Sequence, residues 1–168
     1  MISKKLEKAI NEQINKELYS EYLYMAMAAY LDANDLEGFA NFFKVQGDEE
    51  RFHAMKLYNH LNERGGRVIL KEIEKPEHEF DSVVDIFEKA YKHEQYVTKL
   101  INELMDLAIK ENDHAAKSLL DWFVDEQVEE EASMQSILNK LKMIGGEGNG
   151  MLMLDKEMAA RTFTPEEE

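Results

Sequence analysis

Helix-breaking residues occur at only a few places in this sequence, and their positions limit the chain to a few long helices. Gly65 and Gly66 form one break, and four of the eight glycines form another between 145 and 150. The two prolines are Pro76 and Pro165. Glu, Lys, Leu, Ala and Met, which favour helix, are frequent elsewhere. The stretches between breaks are therefore free to be helical.

The breaks and caps predict four long helices and one short helix. The predicted bounds are about 4–33, 36–64, 83–111 and 114–143, with a short helix at about 151–163. Ser82 opens the third helix through a capping box, and Asn112-Asp113 makes the turn into the fourth. The tail, 165–168, is expected to be mobile.

Two short turns and one long connection predict the topology. Short turns make the first and second helices, and the third and fourth, antiparallel neighbours. The connection over 65–81 has about 17 residues, enough to run from one end of a bundle to the other. We therefore expect a single all-α domain over 1–168, a four-helix bundle with one long crossover and a short fifth helix.

Composition and charge exclude several classes of function. The formal net charge of −15 repels nucleic acid and anionic membranes, so we expect neither as a partner. The chain has no cysteine, which rules out iron–sulfur clusters and thiolate metal sites. No secretory signal is visible, and the longest uncharged run near the start is about half the ~20 residues of a membrane span. We expect a cytoplasmic protein.

The buried seam of each long helix is apolar at its ends and acidic at its middle. A 4,3 spacing in the third helix gives seven apolar positions and one glutamate, Glu94. The fourth helix places Gln127 and Glu130 at the middle of its stripe, and the first helix places Glu17 there. In the second helix the middle is Glu50-Arg51-Phe52-His53, and residues three apart share a helix face.

These carboxylates should converge inside the bundle. Burying one unpaired carboxylate costs several kcal/mol, and no lysine or arginine on the stripes offsets the charge. Divalent cations would offset it, and oxygen ligands with one imidazole suit iron or manganese. We assign one metal to Glu17, Glu50 and His53, and a second to Glu94 and Glu130, with Glu50 bridging. A lone Glu-x-x-His is common on surfaces, so the prediction depends on the combination.

A second acidic group lies beside this one. Glu49 is next to Glu50, and Glu126 and Glu129 share a helix face with Glu130. The spacing alone is equally consistent with a solvated acidic face and with a functional role, either as an outer metal position or as an exit route for oxidised iron.

Two further residues are candidates for the site. Tyr24 lies two turns from Glu17 on the same stripe, so its position suits either a core aromatic or a hydroxyl that reaches the site and supplies an electron. Gln127 is one turn before Glu130, within reach of a ligand or bound oxygen species. Trp122, beside the seam residue Phe123, is interpreted as packing.

At these residues the sequence resembles the bacterial and archaeal non-haem ferritins. The resemblance covers nearly the whole chain. The residues that carry it are Glu17, Tyr24, Glu49-Glu50-Arg51-Phe52-His53, Glu94, Trp122 and Glu126-Gln127-Val128-Glu129-Glu130.

The resemblance implies a ferroxidase that stores iron. Two Fe(II) ions would bind at Glu17, Glu50, His53, Glu94 and Glu130, oxygen or hydrogen peroxide would take their electrons, and a third iron would use Glu49, Glu126 and Glu129. It also implies a homo-oligomer, a hollow shell of 24 subunits that holds ferric mineral.

Departures separate this chain from near relatives. Bacterioferritins and rubrerythrins carry a second Glu-x-x-His on the last long helix, where this chain has Gln127-Val128-Glu129-Glu130. The family's haem-ligating methionine is absent from the stretch just after Glu50, so we expect no haem. Two other hypotheses stay open: a di-iron redox enzyme that stores nothing, such as a peroxidase, and a metal-free helical protein whose acids face water.

Overall fold

The computed structural model describes residues 1–165, and over those residues it contains five helices. They are α1 (Lys4–Asp32), α2 (Glu37–Glu63), α3 (Val83–Lys110), α4 (His114–Met143) and α5 (Gly148–Met158). α1 packs along α2, α3 packs along α4, and α1 also contacts α3. The predicted all-α bundle is confirmed. None of these helices has a stretch apolar and long enough to cross a membrane. The predicted mobile tail, apart from Pro165, lies outside the described residues.

The helix ends follow the local signals in the sequence. Side-chain oxygens of Ser3, Ser82 and Asp113 accept hydrogen bonds from backbone N–H groups in the first turns of α1, α3 and α4. After α1, α2 and α3 the chain turns through the left-handed region, at Asp35, Gly65 and Asn112. The four long helices therefore begin and end within about a residue of the predicted bounds.

The crossover between α2 and α3 runs along the length of α1. Near the start of α1, Asn11 donates to the carbonyl of Arg67 at 2.9 Å and accepts from the N–H of Ile69 at 2.6 Å. Near the end of α1, the Tyr30 hydroxyl donates to the carbonyl of Phe80 at 2.7 Å. These contacts fix an irregular segment to the bundle, so the chain reaches its opposite end before α3 begins.

α5 begins and ends earlier than predicted. It starts at Gly148 rather than near 151. Gly150 packs closely on Ile144, the residue that follows α4. A Cβ added at Gly150 would lie 2.9 Å from the Cβ of Ile144. After Met158 the chain leaves the helix because Asn41 of α2 donates to the carbonyls of Met158 and Arg161, at 3.1 and 3.0 Å. These contacts join residues far apart in the chain, so no local sequence pattern predicts where α5 begins and ends.

α5 docks on the first turn of α2. At Gly38 the backbones meet so closely that an added Cβ would lie 1.7 Å from the carbonyl oxygen of Asp155. The Asp155 carboxylate accepts a hydrogen bond from the N–H of Phe39 at 2.9 Å. Because Leu36, the N-cap residue, supplies no side-chain cap, Asp155 provides from α5 the cap that α2 lacks.

The core of the bundle is divided into two apolar halves by a polar layer. One apolar cluster contains Leu31, Phe43 and Phe87, and the other contains Ile14, Leu57 and Phe123. Between them all four long helices contribute buried polar side chains: Gln13, Glu17, Gln46, Glu50, His53, Glu94, Gln127 and Glu130. The two apolar halves hold this layer away from water at mid-height.

Candidate metal centre

Each long helix places one glutamate in the polar layer. Glu17, Glu50, Glu94 and Glu130 come from α1, α2, α3 and α4 in that order, and each is at most 3% exposed. His53 of α2 is 3% exposed and lies three residues after Glu50. The 4,3 spacing brings them inward because positions at that spacing follow the packed seam of a helix. The structure thus brings together the central residues predicted from sequence.

The first compact group consists of Glu17, Glu50 and His53. One possible ligand atom from each lies within 4.8 Å of the other two. Nδ1 of His53 is 3.6 Å from Oε2 of Glu50. Oε2 of Glu17 and Oε2 of Glu50 are buried and accept no hydrogen bond from any donor group in residues 1–165, although the two carboxyl groups lie within hydrogen-bonding reach of each other. Two such carboxylate oxygens beside an imidazole are the donor set that a divalent cation would satisfy.

The second compact group consists of His53, Glu126 and Glu130, again with ligand atoms within 4.8 Å of one another. Its composition differs from the predicted second site, which paired Glu94 with Glu130. In the described part of the chain, Glu94 belongs to neither compact group, although its negative charge acts on Glu50 and Glu130. The reason is that hydrogen bonds from two neighbours hold the Glu94 carboxylate.

Tyr24 and Gln127 hold the two oxygens of Glu94. The Tyr24 hydroxyl donates to Oε1 of Glu94. Nε2 of Gln127 donates to Oε2 of Glu94 at 3.2 Å, and it also lies 3.2 Å from the hydroxyl oxygen of Thr98. Tyr24 is therefore in direct contact with a carboxylate of the site, and Gln127 reaches across from α4 to α3.

Two other glutamines contact the acids and were not predicted. Gln13 donates to Oε1 of Glu17 at 2.8 Å within α1. Gln46 of α2 donates to Oε2 of Glu130 at 2.6 Å across the bundle. A signal for both existed in the sequence, because each lies one turn before a seam glutamate, as Gln127 does. Amide donors let these carboxylates stay buried while their remaining oxygens face one another.

Burial is the main cause of the pKa shifts of the four central glutamates. It raises the pKa of Glu17, and it raises the pKa values of Glu50 and Glu130 well above the ordinary range, with neighbouring carboxylates adding to the effect at Glu50. The pKa of Glu94 is about 7, raised by burial and partly lowered by the Tyr24 hydrogen bond. Ionising all four at neutral pH therefore requires a compensating positive charge.

His53 and Tyr24 respond to burial in ways that suit a cation site. Burial lowers the pKa of His53 to about 4, with a smaller contribution from the charge of Lys56, so the imidazole is neutral at neutral pH. A neutral imidazole has a lone pair to give a metal. Burial and the nearby glutamates raise the pKa of Tyr24 well above its ordinary value, so its hydroxyl keeps its proton and remains a donor.

Two aromatic rings pack against His53. The ring centroid of Trp122 is 5.4 Å from that of His53, and the ring of Phe123 is 5.9 Å away. Phe52 packs edge-on against Trp122 at 6.0 Å. The interpretation of Trp122 as a packing residue fits these contacts, which also place it directly beside a candidate ligand.

The outer acids do not form one group. Glu126 and Glu129 line a pocket of about 360 Å³ that reaches His53. Glu49 instead accepts a hydrogen bond from Nη2 of Arg161 at 2.6 Å, a contact that the sequence did not predict. Burial raises the pKa of Glu49, and the positive charge of Arg161 lowers it again in part. The third metal position, Glu49 with Glu126 and Glu129, stays a prediction.

Comparison with known proteins gives matches over the whole fold. Residues 7–144 match the ferritin-like domain family. A bacterial non-heme ferritin of Staphylococcus saprophyticus is 46% identical over 167 residues, which are 99% of this chain and 100% of that protein. One from Staphylococcus aureus is 43% identical over 166 residues, 99% of this chain and 100% of that protein. An open-pore ferritin of the hyperthermophilic archaeon Archaeoglobus fulgidus superimposes with a TM-score of 0.95 at 49% identity, covering 96% of this chain and 100% of that one.

Proposed function

This chain belongs to the non-haem ferritin family, and from that premise we propose that it stores iron and oxidises Fe(II) to Fe(III) at the centre of its helical bundle. The observation that carries the proposal is the pair of buried carboxylate oxygens on Glu17 and Glu50, which lie beside a neutral His53 and accept no hydrogen bond from a donor group among the described residues. Fe(II) is the substrate that would satisfy these oxygens.

The ligands are divided between two iron positions. One Fe(II) binds Glu17, Glu50 and His53, and the other binds Glu94 and Glu130, with Glu50 shared. Tyr24 and Gln127 hold the two oxygens of Glu94 in the structure, so Glu94 would bind the second iron only after one of these hydrogen bonds is exchanged for the metal. Binding drives out the protons that burial keeps on these glutamates, so affinity for Fe(II) rises with pH.

The reaction balances with oxygen or hydrogen peroxide as oxidant. Each Fe(II) loses one electron, so a pair of irons supplies two. Two electrons and two protons reduce one O₂ to H₂O₂, or one H₂O₂ to two H₂O. A site that shares Glu50 between two irons would let both irons act on one oxidant molecule.

Storage requires an assembly with an internal space. The relatives described above are themselves ferritins, and we propose a hollow shell, of 24 subunits, in which ferric mineral accumulates. Exposed apolar side chains support association: Tyr22 and Met25 on α1 are 49% and 53% exposed, and Ile69 and Leu70 of the crossover are 58% and 61% exposed. Tyr22 and Met25 line the same surface pocket, and a contiguous exposed apolar patch indicates an interaction site. A cytoplasmic location stays a prediction.

Aerobic addition of Fe(II) to the purified protein tests this function. We expect oxygen consumption faster than in buffer, iron retained by the protein after desalting, and a particle mass of many subunits. A small oligomer that oxidises Fe(II) but retains no mineral would favour the non-storing di-iron enzyme. No acceleration over buffer would exclude the ferroxidase, and no change in melting temperature on adding divalent metal would favour the metal-free helical protein.

A further inference from the structure

Residues 159–165, the C-terminal strap, follow α5 and lie along α2. Asn41 of α2 holds the start of the strap, since its side-chain amide donates to the carbonyls of Met158 and Arg161. Farther along, the ring of Phe163 packs edge-on against Phe52 with centroids 5.7 Å apart. The strap is therefore attached to α2 at both of its ends.

Arg161 makes the charged contact between these two attachments. Its Nη2 lies 2.6 Å from Oε2 of Glu49, and the two side chains are only 23% and 15% exposed. Its guanidinium group lies 4.2 Å from the centroid of the Phe42 ring. Within residues 1–165, its buried Nη1 has no hydrogen-bond partner. A sheltered ion pair stacked on an aromatic ring is stronger than an exposed surface pair.

The strap also forms part of the pocket that leads to His53. Phe163 and Thr164 line that pocket together with Glu126 and Glu129. Glu126 approaches His53 and Glu130 closely enough to share a cation with them. The negative charge of Glu49 and the positive charge of Arg161 both act on Glu130, with opposite signs. Arg161 thus counteracts, beside the metal centre, the attraction that Glu49 would exert on a cation.

We propose that Arg161 is a positioning residue that keeps Glu49 out of the cation-binding set, so that a metal ion in the pocket can use Glu49 only after the strap releases it. The inference rests on the proposed function in one respect, because it takes cations to occupy the bundle centre. The strap thereby regulates which acidic side chains bind a cation after the cation enters the pocket. Arg161 lowers cation affinity at the outer acids, and a cation that competes for Glu49 loosens the strap.

Terbium(III) is a suitable probe, because it prefers carboxylate oxygens and its luminescence is sensitised by a nearby indole. Trp122 lines the same pocket and is the only tryptophan in the sequence. The full-length assembled protein is titrated with Tb(III) while Trp122 is excited. We expect the weakest of the Tb(III) sites that Trp122 sensitises to bind about tenfold more tightly in Arg161→Gln than in wild type. The reason is that the variant removes one positive charge and releases one carboxylate.

A double-mutant cycle isolates Glu49. Glu49→Gln alone should weaken Tb(III) binding relative to wild type, since it leaves the positive charge of Arg161 uncompensated beside the pocket. In the double variant Arg161→Gln/Glu49→Gln, the gain seen with Arg161→Gln should disappear. Lys156→Gln is the matched control, because it removes one positive charge from an exposed position of α5. Hydrogen exchange of 159–165 should be faster in Arg161→Gln than in Lys156→Gln.

Three results would overturn the inference: an unchanged affinity in Arg161→Gln, an equal gain in Lys156→Gln, or a gain that persists without Glu49. Its failure differs from failure of the proposed function. If wild type oxidises Fe(II) and binds Tb(III) but Arg161→Gln behaves like wild type, only the role of Arg161 is wrong. If wild type shows neither Fe(II) oxidation nor sensitised Tb(III), the function itself fails.

Discussion

Glu50 is influenced by all three of the other central glutamates. After burial itself, the charges of Glu94, Glu17 and Glu130 all raise its pKa, so it lies within reach of every other central carboxylate. It belongs to the compact group with Glu17 and His53, and one of its oxygens accepts no hydrogen bond from a donor group among residues 1–165. A carboxylate in this position is the natural candidate to be shared by two irons.

Replacing Glu50 should therefore cost more activity than replacing a ligand of one iron. We expect Glu50→Ala to lower the initial rate of Fe(II) oxidation by about 100-fold, and Glu17→Ala by about tenfold, since direct ligands matter at least as much as the groups that orient them. Glu103→Ala, which removes an exposed acid, serves as the control. Equal losses for Glu50→Ala and Glu17→Ala in an oxygen-electrode assay would contradict the shared role.

Glu94 should make the stability of chelator-treated protein depend on pH. Its pKa is about 7 against an ordinary value of 4.5, so the folded chain holds this proton more tightly than the unfolded chain. The stability it contributes is complete below about 4.5 and is lost as pH rises through about 7. Glutamine does not titrate, so Glu94→Gln should gain about 3 kcal/mol in unfolding free energy, relative to wild type, over that range.

The experiment compares the unfolding free energies of wild type and Glu94→Gln. His53 has the opposite effect, because its lowered pKa costs stability as pH falls from 6.5 toward about 4, but it is present in both proteins and cancels. Denaturant unfolding of both proteins at several pH values measures the difference. A gap between them that stays constant from pH 4 to 8 would show that the pKa of Glu94 is the same in the folded and the unfolded chain.

The sequence predicted the central residues because helix periodicity alone determines which side chains face the seam. It did not predict that Arg161 pairs with Glu49, since 112 residues separate them and no spacing rule connects a strap to a helix. The hydrogen bonds that keep Glu94 outside both compact groups were missed for the same reason. Contacts across the bundle depend on the rotation of each helix, which periodicity leaves undetermined within about one position.

At the scale of elements, the docking of α5 depends on one glycine. Gly38 gives α5 the room to approach α2, and Asp155 then caps the first turn of α2. Long helices are predictable because caps and breakers lie next to the residues they affect. The bounds of α5 were less predictable, because Gly150 and Asn41 act through packing and hydrogen bonds with other elements.

Adding a methyl group at Gly38 should force α5 away from α2. We expect Gly38→Ala to lower unfolding stability by about 1–3 kcal/mol through overpacking, with further loss of the Asp155 cap. Gly47→Ala is the matched control on the same helix: its added Cβ would meet nothing closer than 3.6 Å. That change should leave stability unchanged or raise it by up to about 1 kcal/mol. Thermal unfolding that ranks the two variants in the opposite order would contradict the docking role.

At the scale of the whole molecule, two apolar clusters enclose one charged layer. The apolar halves drive folding, while burial of the central carboxylates opposes it. A cation that binds only the folded chain shifts this balance, so stability and metal loading are coupled. A cation bound in the polar layer would offset part of the free-energy cost of burying the central carboxylates.

Divalent metal should therefore raise the melting temperature of chelator-treated protein. With Mn(II) at about 100 times its dissociation constant, a single site adds about 2.7 kcal/mol to the unfolding free energy. The Glu50→Ala variant should show a much smaller increase, since it removes the carboxylate common to both positions. An equal increase in wild type and variant would place the stabilising metal on the surface.

Anomalous diffraction at the iron edge, from crystals soaked in Fe(II) without oxygen, would locate the iron positions. We expect two iron peaks in the polar layer, one against Glu17, Glu50 and His53 and one against Glu94 and Glu130, with Glu50 reaching both. Iron found only on surface acids, with none in the layer between the two apolar clusters, would contradict the proposed iron site.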